Sequence, residues 1–530
     1  MIRTIRNLVR LVVIMRTLGR HDALFPHELR DVAPGIAGFA RLFSAKGVPG
    51  RPGQRIAAAL RDLGPSFIKL GQILSTRSDL VGEAIAADLA ELQDKLPPFP
   101  PSEARRIIEA ELGRPLEEIY ESFDETPVAA ASIAQVHFAV VATRRDRDGN
   151  HELDAGDPRS REVAVKVLRP GIELAFRQDL DLFRWLSELA LRIQPRFKRL
   201  RPGEVVQIFA DTVRMEMDLR MEASAASELA DNFRGDTAFN VPRVDWDRTS
   251  QRVLTLERIR GIKVDEVDKI RAAGFDPDDV LAQASSSFFN QVFRDGFFHA
   301  DLHPGNLFVN EDGHIAPVDF GIMGRLDRAT RYYLADMLLG FLNGDYRRVA
   351  EVHFQAGYVP AHQNIETFTQ ACRAIGEPLL NKPLHEISIG RLLAQLLSVT
   401  EQFEMETQPQ LLLLQKSMLT AEGVGRALNP DINMWELARP LIEDWMRENR
   451  GPEARMVDEL ESVLNALRTL PRVMREAERA TRMINENGLP LHPATIEILL
   501  EGFVRKRRRT VWTLWTVTMA VALAALAVVT

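Results

Sequence analysis

One cysteine, Cys372, stands in a chain of 530 residues. A lone thiol excludes any intramolecular disulfide and points to a reducing compartment for the bulk of the protein. No group of cysteines and histidines has the spacing of zinc ligands, so a structural zinc site is excluded too. The chain also lacks a glycine-rich dinucleotide fingerprint and a ligand set for non-haem iron, which argues against oxidative chemistry such as hydroxylation. An excess of charge is missing as well: the net charge of -7 is small for this length, so bulk electrostatics favour neither nucleic acid nor an acidic substrate. No nucleic-acid partner is expected.

Charge is absent altogether at the C-terminus. The stretch "VWTLWTVTMAVALAALAVVT", residues 511–530, follows directly on "RKRRR", residues 505–509. At 1.5 Å per residue such a helix spans about 30 Å, the hydrocarbon thickness of a bilayer. Trp512 and Trp515 lie where an interfacial aromatic belt belongs, and the arginine cluster favours retention of the preceding side in the cytoplasm. Residues 510–530 are therefore expected to be a transmembrane anchor with the rest of the protein cytoplasmic. At the other end, "MIRTIRNLVRLVVIMRTLGR" places Ile2, Ile5, Leu8, Val9, Val12 and Val13 at helical spacing among five arginines. This basic amphipathic helix suits contact with an anionic membrane surface as well as it suits packing on the next domain. A mitochondrial presequence is the minor alternative, weakened by the lack of serine before Ser44.

Between the ends, "KGVPGRPGQ", residues 46–54, reads as a linker. Helical periodicity follows, stops at "PPFPP", residues 97–101, and resumes in "SEARRIIEAELG". Two β-prone runs, "PVAAASIAQVHFAVVAT" and "EVAVKVLRP", then flank a polar stretch that reads as a hairpin loop. From Ile172 to Asn232 the pattern is helical, followed by two more apolar runs, "FNVPRVDW" and "RVLTLERI". Beyond Asp265 nearly everything reads as helix, apart from "NLFVNEDGHIAPVDF", whose Asp-Gly pair between alternating apolar residues signals a hairpin.

Asp301 and Asn306, in "HADLHPGN", have the order and spacing of a kinase catalytic loop, and Asp319 opens an intact Asp-Phe-Gly beyond the hairpin. A carboxylate and an amide oxygen reaching in from the two ends of a hairpin supply the hard oxygen ligands that Mg2+ prefers, while Asp301 faces an incoming hydroxyl or water. Upstream, alternation along "VAVKV" sends Ala164 and Lys166 to one face of a strand and Val163, Val165 and Val167 to the other, so Lys166 is placed to meet nucleotide phosphates. His299 and His303 flank Asp301 without a third metal ligand at sensible spacing, and hydrogen bonding within the loop is the expected role for them.

The order of "KLGQ", "AAASIAQVH", "VAVK", "EMD", "ADLHPGN" and "VDFG", spread from Lys69 to Gly321, resembles the UbiB family of atypical kinase-like proteins associated with ubiquinone biosynthesis. The resemblance implies an α+β, two-lobed, atypical protein-kinase-like fold with an N-terminal helical extension and a C-terminal transmembrane helix. Its expected divisions are a basic amphipathic segment at 1–45, the extension at 55–115, an N-lobe at 116–262, a helical C-lobe at 263–500 and the anchor at 510–530. It further implies an alanine-rich nucleotide loop formed by Val128, Ala129, Ala130, Ala131, Ser132, Ile133, Ala134, Gln135 and Val136, with Ala134 at a position that is glycine in many members. Alanine's β-carbon narrows the backbone conformations open to such a loop. Two ion pairs are implied, Lys166 with Glu222 and Lys69 with Glu216. Glu216 and Glu222, about 120° apart on one helix, would not compete for one lysine, and Asp218 would neighbour Glu222. Lys69, Gln72, Glu216 and Asp218 would form an occluding motif, with Lys69 and Gln72 on the extension that folds over the site where a protein substrate binds in ordinary kinases.

By the same resemblance ATP and Mg2+ are the expected cofactors. Membrane lipids with anionic headgroups, prenylated quinone precursors and quinone-biosynthetic enzymes are the expected partners, at a bacterial inner membrane. The implied activity is ATP hydrolysis or phosphorylation of a small, lipid-like molecule, with a nucleotide-gated scaffold or lipid-extraction factor as the alternative. Ala300 stands where the kinase loop usually has arginine, and no Ala-Pro-Glu follows the Asp-Phe-Gly, both of which suit an unregulated kinase-like ATPase. Only one span is present where bacterial relatives often have two. No chemistry can be read from residues 330–500.

Overall fold

Helix α1 (Ile2–Arg20) turns outward the apolar face that carries Leu8, Val9, Val12 and Val13. In the computed structural model of the protein, Asn7 and Ile14 are buried while Leu8, Val9, Val12 and Val13 are exposed. At about 100° per residue, those two sets lie on opposite faces. The inner face is held by charge: Arg10 Nε donates to the buried carboxylate of Asp179 at 2.9 Å, and its Nη2 to the carbonyl of Leu63 at 3.2 Å. The described residues are 2–23, 48–75, 81–82, 85, 88–89, 96–142, 162–193, 202–378, 399–400, 402–405, 408–430 and 434–450. The expected anchor at 510–530 lies outside them, and among them no helix is long and apolar enough to cross a membrane.

Helices α2 (Pro52–Leu63) and α3 (Pro65–Ser75) form the extension and share a small core with Ile14 of α1, centred on Leu60, Phe67 and Ile68. After the proline stop, α4 (Pro101–Leu112) leads into an antiparallel sheet of β1 (Tyr120–Phe123), β2 (Ala129–Ala130), β3 (Ala134–Val141), β4 (Glu162–Leu168) and β5 (Val253–Glu257). Its order is β1-β3-β4-β5, with β2 on β3. Val163, Val165 and Val167 pack under Ile107 and Ile108 of α4, so the alternation read in β4 is realised and Lys166 is left on the other face.

Between β4 and β5 lie α5 (Ile172–Ile193), α6 (Pro202–Glu216) and α7 (Leu219–Asn232). Glu216 and Glu222 therefore sit on two helices rather than one. The chain breaks at Met217 and Asp218, where the Asp218 carboxylate caps α7 by accepting from the Arg220 N–H. Capping satisfies a donor that no preceding turn can reach, and Asp is among the residues best suited to it. The run "FNVPRVDW" adds no strand to the sheet and makes isolated bridges at Phe239 and Val244. Pro242, without an N–H, cannot continue a ladder.

The second part of the chain has β6 (Gly261–Lys263), α8 (Pro277–Phe289), β7 (Phe297–His299), the hairpin β8 (Leu307–Asn310) and β9 (Ile315–Pro317), and β10 (Met323–Arg325). Strands β6, β8 and β9 form one sheet and β7 pairs with β10. Helices α9 (Arg328–Leu342), α10 (Tyr346–Gln355), α11 (Ile365–Gly376), α12 (Pro409–Leu428) and α13 (Met434–Arg450) follow. Leu414 of α12 and Ile442 and Trp445 of α13 join Phe293, Phe298 and Leu326 in the largest core. Cys372 packs with Tyr346 and Phe368 in a separate cluster, and burial pushes its thiol up to about 12, so it is inert at neutral pH.

Gly324 faces Phe298 across the β7–β10 pair, and a β-carbon there would come within 2.1 Å of the ring of that fully buried phenylalanine. Gly324→Ala should therefore lower stability by about 1–3 kcal/mol, the usual cost of overpacking. A denaturant titration that leaves the midpoint unchanged would show that the ring can yield.

Candidate active site

Lys166 leaves β4 on the face opposite the valines and reaches two carboxylates. Its Nζ lies 2.8 and 2.9 Å from the two oxygens of Glu222 and 2.8 Å from Oδ1 of Asp319. Glu222 is in the first turn of α7 and is buried, whereas the Asp319 side chain is half exposed. Burial works against the charge on Lys166, but the two carboxylates outweigh it and hold its pKa above the ordinary value. Burial pushes Glu222 up to about 7, with Lys166 pulling the other way, while the Lys166 ammonium holds Asp319 well below the usual carboxylate range. One ammonium thus keeps the accessible carboxylate ionised, while burial and then the neighbouring Asp319 charge hold the buried one up against its pull.

Asp319 has φ +65°, a left-handed backbone uncommon outside glycine. Its neighbours enforce the turn. Phe320 is buried with its ring against His299, the Val318 N–H donates to the Asn306 carbonyl, and the Ala300 N–H donates to the Ile322 carbonyl. His299 is itself buried and kept neutral by desolvation. Its Nδ1 accepts from the Asp301 N–H at 3.2 Å, which leaves the proton on Nε2 to donate to the Val318 carbonyl at 3.3 Å. The imidazole therefore ties the Asp301 loop to the segment carrying Asp319. His303 Nδ1 accepts from the Gly305 N–H at 3.0 Å, so both histidines hydrogen-bond within the loop. Asn306 Nδ2 donates to the Asp301 carbonyl at 3.2 Å and faces Oδ2 at 3.5 Å.

The other oxygen of Asp301 is engaged by a residue the sequence reading does not find. Lys416 Nζ, on α12, lies 2.9 Å from Asp301 Oδ1. The only local sign is a single lysine in the long neutral first half of that helix, "PQLLLLQKSMLTA", with no motif around it.

The extension contributes a third lysine. Lys69 on α3 is buried and meets Glu216, at the end of α6, at 3.0 Å. Its charge also acts on Asp319, adding to the pull of Lys166. Gln72, one turn on from Lys69, is half-buried, and Asp218 pairs with Arg220 at 2.6 Å in addition to capping α7.

The alanine-rich run forms a tight turn between β2 and β3. The Ala131 N–H donates to the Ala134 carbonyl at 2.8 Å, and Arg169 Nη2 donates to the Ala131 carbonyl and to that of Pro97, both at 3.1 Å. Val136 pairs directly with Lys166. Gln135 points to the opposite face, where its amide exchanges hydrogen bonds with the Phe99 backbone at 3.0 and 3.3 Å. Ser132 and Ile133 are buried. The run is thus a braced turn in which Gln135 fastens the proline-rich segment to the sheet.

An ABC1 atypical kinase-like domain matches residues 91–353 and a UbiB helical domain matches residues 372–433. The chain is 41% identical over 464 residues to a probable protein kinase UbiB of Marinobacter nauticus, covering 86% of this chain and 82% of that one. It is 45% identical over 406 residues to the protein of that name from Aeromonas hydrophila, covering 76% and 72% respectively. A solved complex of Rv3197 with erythromycin from Mycobacterium tuberculosis aligns at 24% identity and a TM-score of 0.49, over 78% of this chain and 98% of that one. Lys166, Glu222, Asp301 and Asp319 fall in the ABC1 match, Lys416 falls in the helical one, and Lys69 precedes both.

A carboxyl raised in the folded state favours folding below its ordinary value, near 4.3, and loses that contribution as pH rises through the folded value. For Glu222 the window runs from there to about 7. Without nucleotide, the stability of the wild type relative to Glu222→Gln should decline across that window and level off above it. A difference in melting temperature that stays flat from pH 4.5 to 8 would mean that Glu222 is not displaced upward.

Proposed function

Because this chain belongs to the UbiB family of ABC1 atypical kinase-like proteins, we propose that it binds Mg-ATP at the Lys166 centre and either hydrolyses it or passes the terminal phosphoryl group to a small, lipid-like acceptor in support of ubiquinone production. The observation that carries this reading is the single ammonium of Lys166 within 2.9 Å of both Glu222 and Asp319. In a kinase fold a strand lysine held by a helix glutamate is the part that engages nucleotide phosphates.

The residues present fit a magnesium ion. Asp319 and Asn306 offer one anionic and one neutral oxygen, and magnesium favours one or two carboxylates supplemented by phosphate oxygens and water. When bound there, the ion would neutralise charge on the phosphates. The chain's own part is to keep Asp319 ionised through Lys166, to orient Asp301 toward the incoming hydroxyl or water, and to fix the loop between them through His299.

Two features favour a small acceptor over a protein. The Lys69–Glu216 pair fastens the extension to α6 close enough for Lys69 to act on Asp319. The chain also passes from Asp319 to Asp327, the N-cap of α9, with residues 320–326 between them, three of which form β10. An ordinary kinase platform for a protein substrate has little room in so short a segment.

Membrane attachment completes the proposal. The charge-free stretch at 510–530 supports an anchor at a bacterial inner membrane, with the catalytic part on the cytoplasmic side. The exposed Leu8, Val9, Val12 and Val13 of α1 support a second contact with an anionic lipid surface, near which prenylated quinone precursors and the enzymes acting on them would be met.

Purified protein should release phosphate from ATP only with Mg2+ present. Asp319→Asn should abolish the thermal stabilisation by Mg-ATP, because an amide does not supply the anionic ligand. Undiminished stabilisation of that variant would remove Asp319 from the site.

A further inference from the structure

We propose that Lys416, from the helical domain that follows the kinase-like core, is a positioning residue for Asp301 in phosphoryl transfer. Its ammonium lies 2.9 Å from Asp301 Oδ1, while Asn306 Nδ2 faces Oδ2 at 3.5 Å and donates to the Asp301 carbonyl at 3.2 Å. A carboxylate engaged on one oxygen by a cation and flanked on the other by an amide has its plane set, and the plane decides which lone pair meets the nucleophile.

The catalytic loop has no cation of its own to do this. His299 is buried with both ring nitrogens hydrogen-bonded to backbone, and the Nδ1 of His303 is occupied by the Gly305 N–H. The charge arrives from 115 residues downstream. Its helix is well placed to hold it steady. Leu414 and Ser417, on either side of Lys416, are buried, Ser417 Oγ donates to the Leu413 carbonyl, and α12 packs against α8 and β10. Strand β10 follows Asp319 and pairs with β7, which ends at His299, so α12 is braced on the strands that carry both halves of the site.

Stability is not the reason for the contact. The Lys416 and Asp301 side chains are 41% and 34% exposed, and ion pairs so open to solvent add little to folding. The pair acts through the orientation of Asp301. A small misplacement of a group that positions the nucleophile costs roughly 10- to 100-fold in rate, even when the change is remote from the reacting atoms.

The inference rests on the proposed turnover of Mg-ATP, and its test separates the two. Wild type, Lys416→Met and Lys416→Arg are compared for phosphate release, for affinity toward Mg-ADP with and without aluminium fluoride, and for melting temperature. Aluminium fluoride with Mg-ADP imitates the transferring phosphoryl group. The expected result is a kcat lowered roughly 10- to 100-fold in Lys416→Met, with KM for Mg-ATP, Mg-ADP affinity and melting temperature close to wild type. The extra affinity conferred by aluminium fluoride should be lost in the same variant, and Lys416→Arg should recover most of both. Unchanged kcat and unchanged analogue affinity in Lys416→Met would overturn the inference. So would a loss shared equally by Mg-ADP affinity or melting temperature, which would mark a binding or structural residue. Absence of phosphate release and of analogue tightening in the wild type would instead bring down the proposed function, and this inference with it.

Discussion

One ammonium shared between two carboxylates organises this molecule. Lys166 cannot be withdrawn without stranding the buried Glu222, and removing one partner of a buried ion pair typically costs about 3–5 kcal/mol. To deliver that lysine, β4 must present its valines to α4 and its other face to α7. To receive it, α7 must start where Asp218 caps it, which sets Glu222 in its first turn. The left-handed turn at Asp319 then brings the accessible carboxylate to the same nitrogen. Sheet, helix and loop are fitted to one charged contact, and the contact keeps Asp319 ionised.

Two further lysines extend the same logic beyond the kinase-like core. Lys69, from the helices before it, is buried against Glu216 and acts on Asp319, while Lys416, from the helices after it, meets Asp301. The two pairs differ in kind. Lys69 and Glu216 are nearly shut off from water, so solvent and salt screen their attraction little and the extension is held firmly in place. Lys416 and Asp301 remain open to solvent, which leaves the carboxylate accessible to a reactant while its direction is set.

Much of this was readable from residues with local signatures. The alternation in "EVAVKVL" states which face is buried, and Asp301, Asn306 and Asp319 announce themselves by spacing along a hairpin whose turn residues are equally plain. What escaped was set by tertiary context. The break between Glu216 and Glu222 hides in continuous helical periodicity, with Asp218 as its only mark. Helix α1 has an apolar face that invites burial, yet the pairing of Arg10 with Asp179 and the burial of Asn7 and Ile14 place the other face inward. Lys416 pairs across 115 residues with no motif around it, and such a contact exists only once the chain has folded.

The central claim is that both appended elements belong to the nucleotide site. Amide hydrogen exchange measured with and without Mg-ATP tests it most directly, because protection reports which backbone segments are stabilised when the nucleotide binds. Slower exchange is expected at residues 129–136, 299–306 and 318–322, and also in α3 around Lys69 and α12 around Lys416. Protection confined to the core segments, with both helices unchanged, would contradict the claim.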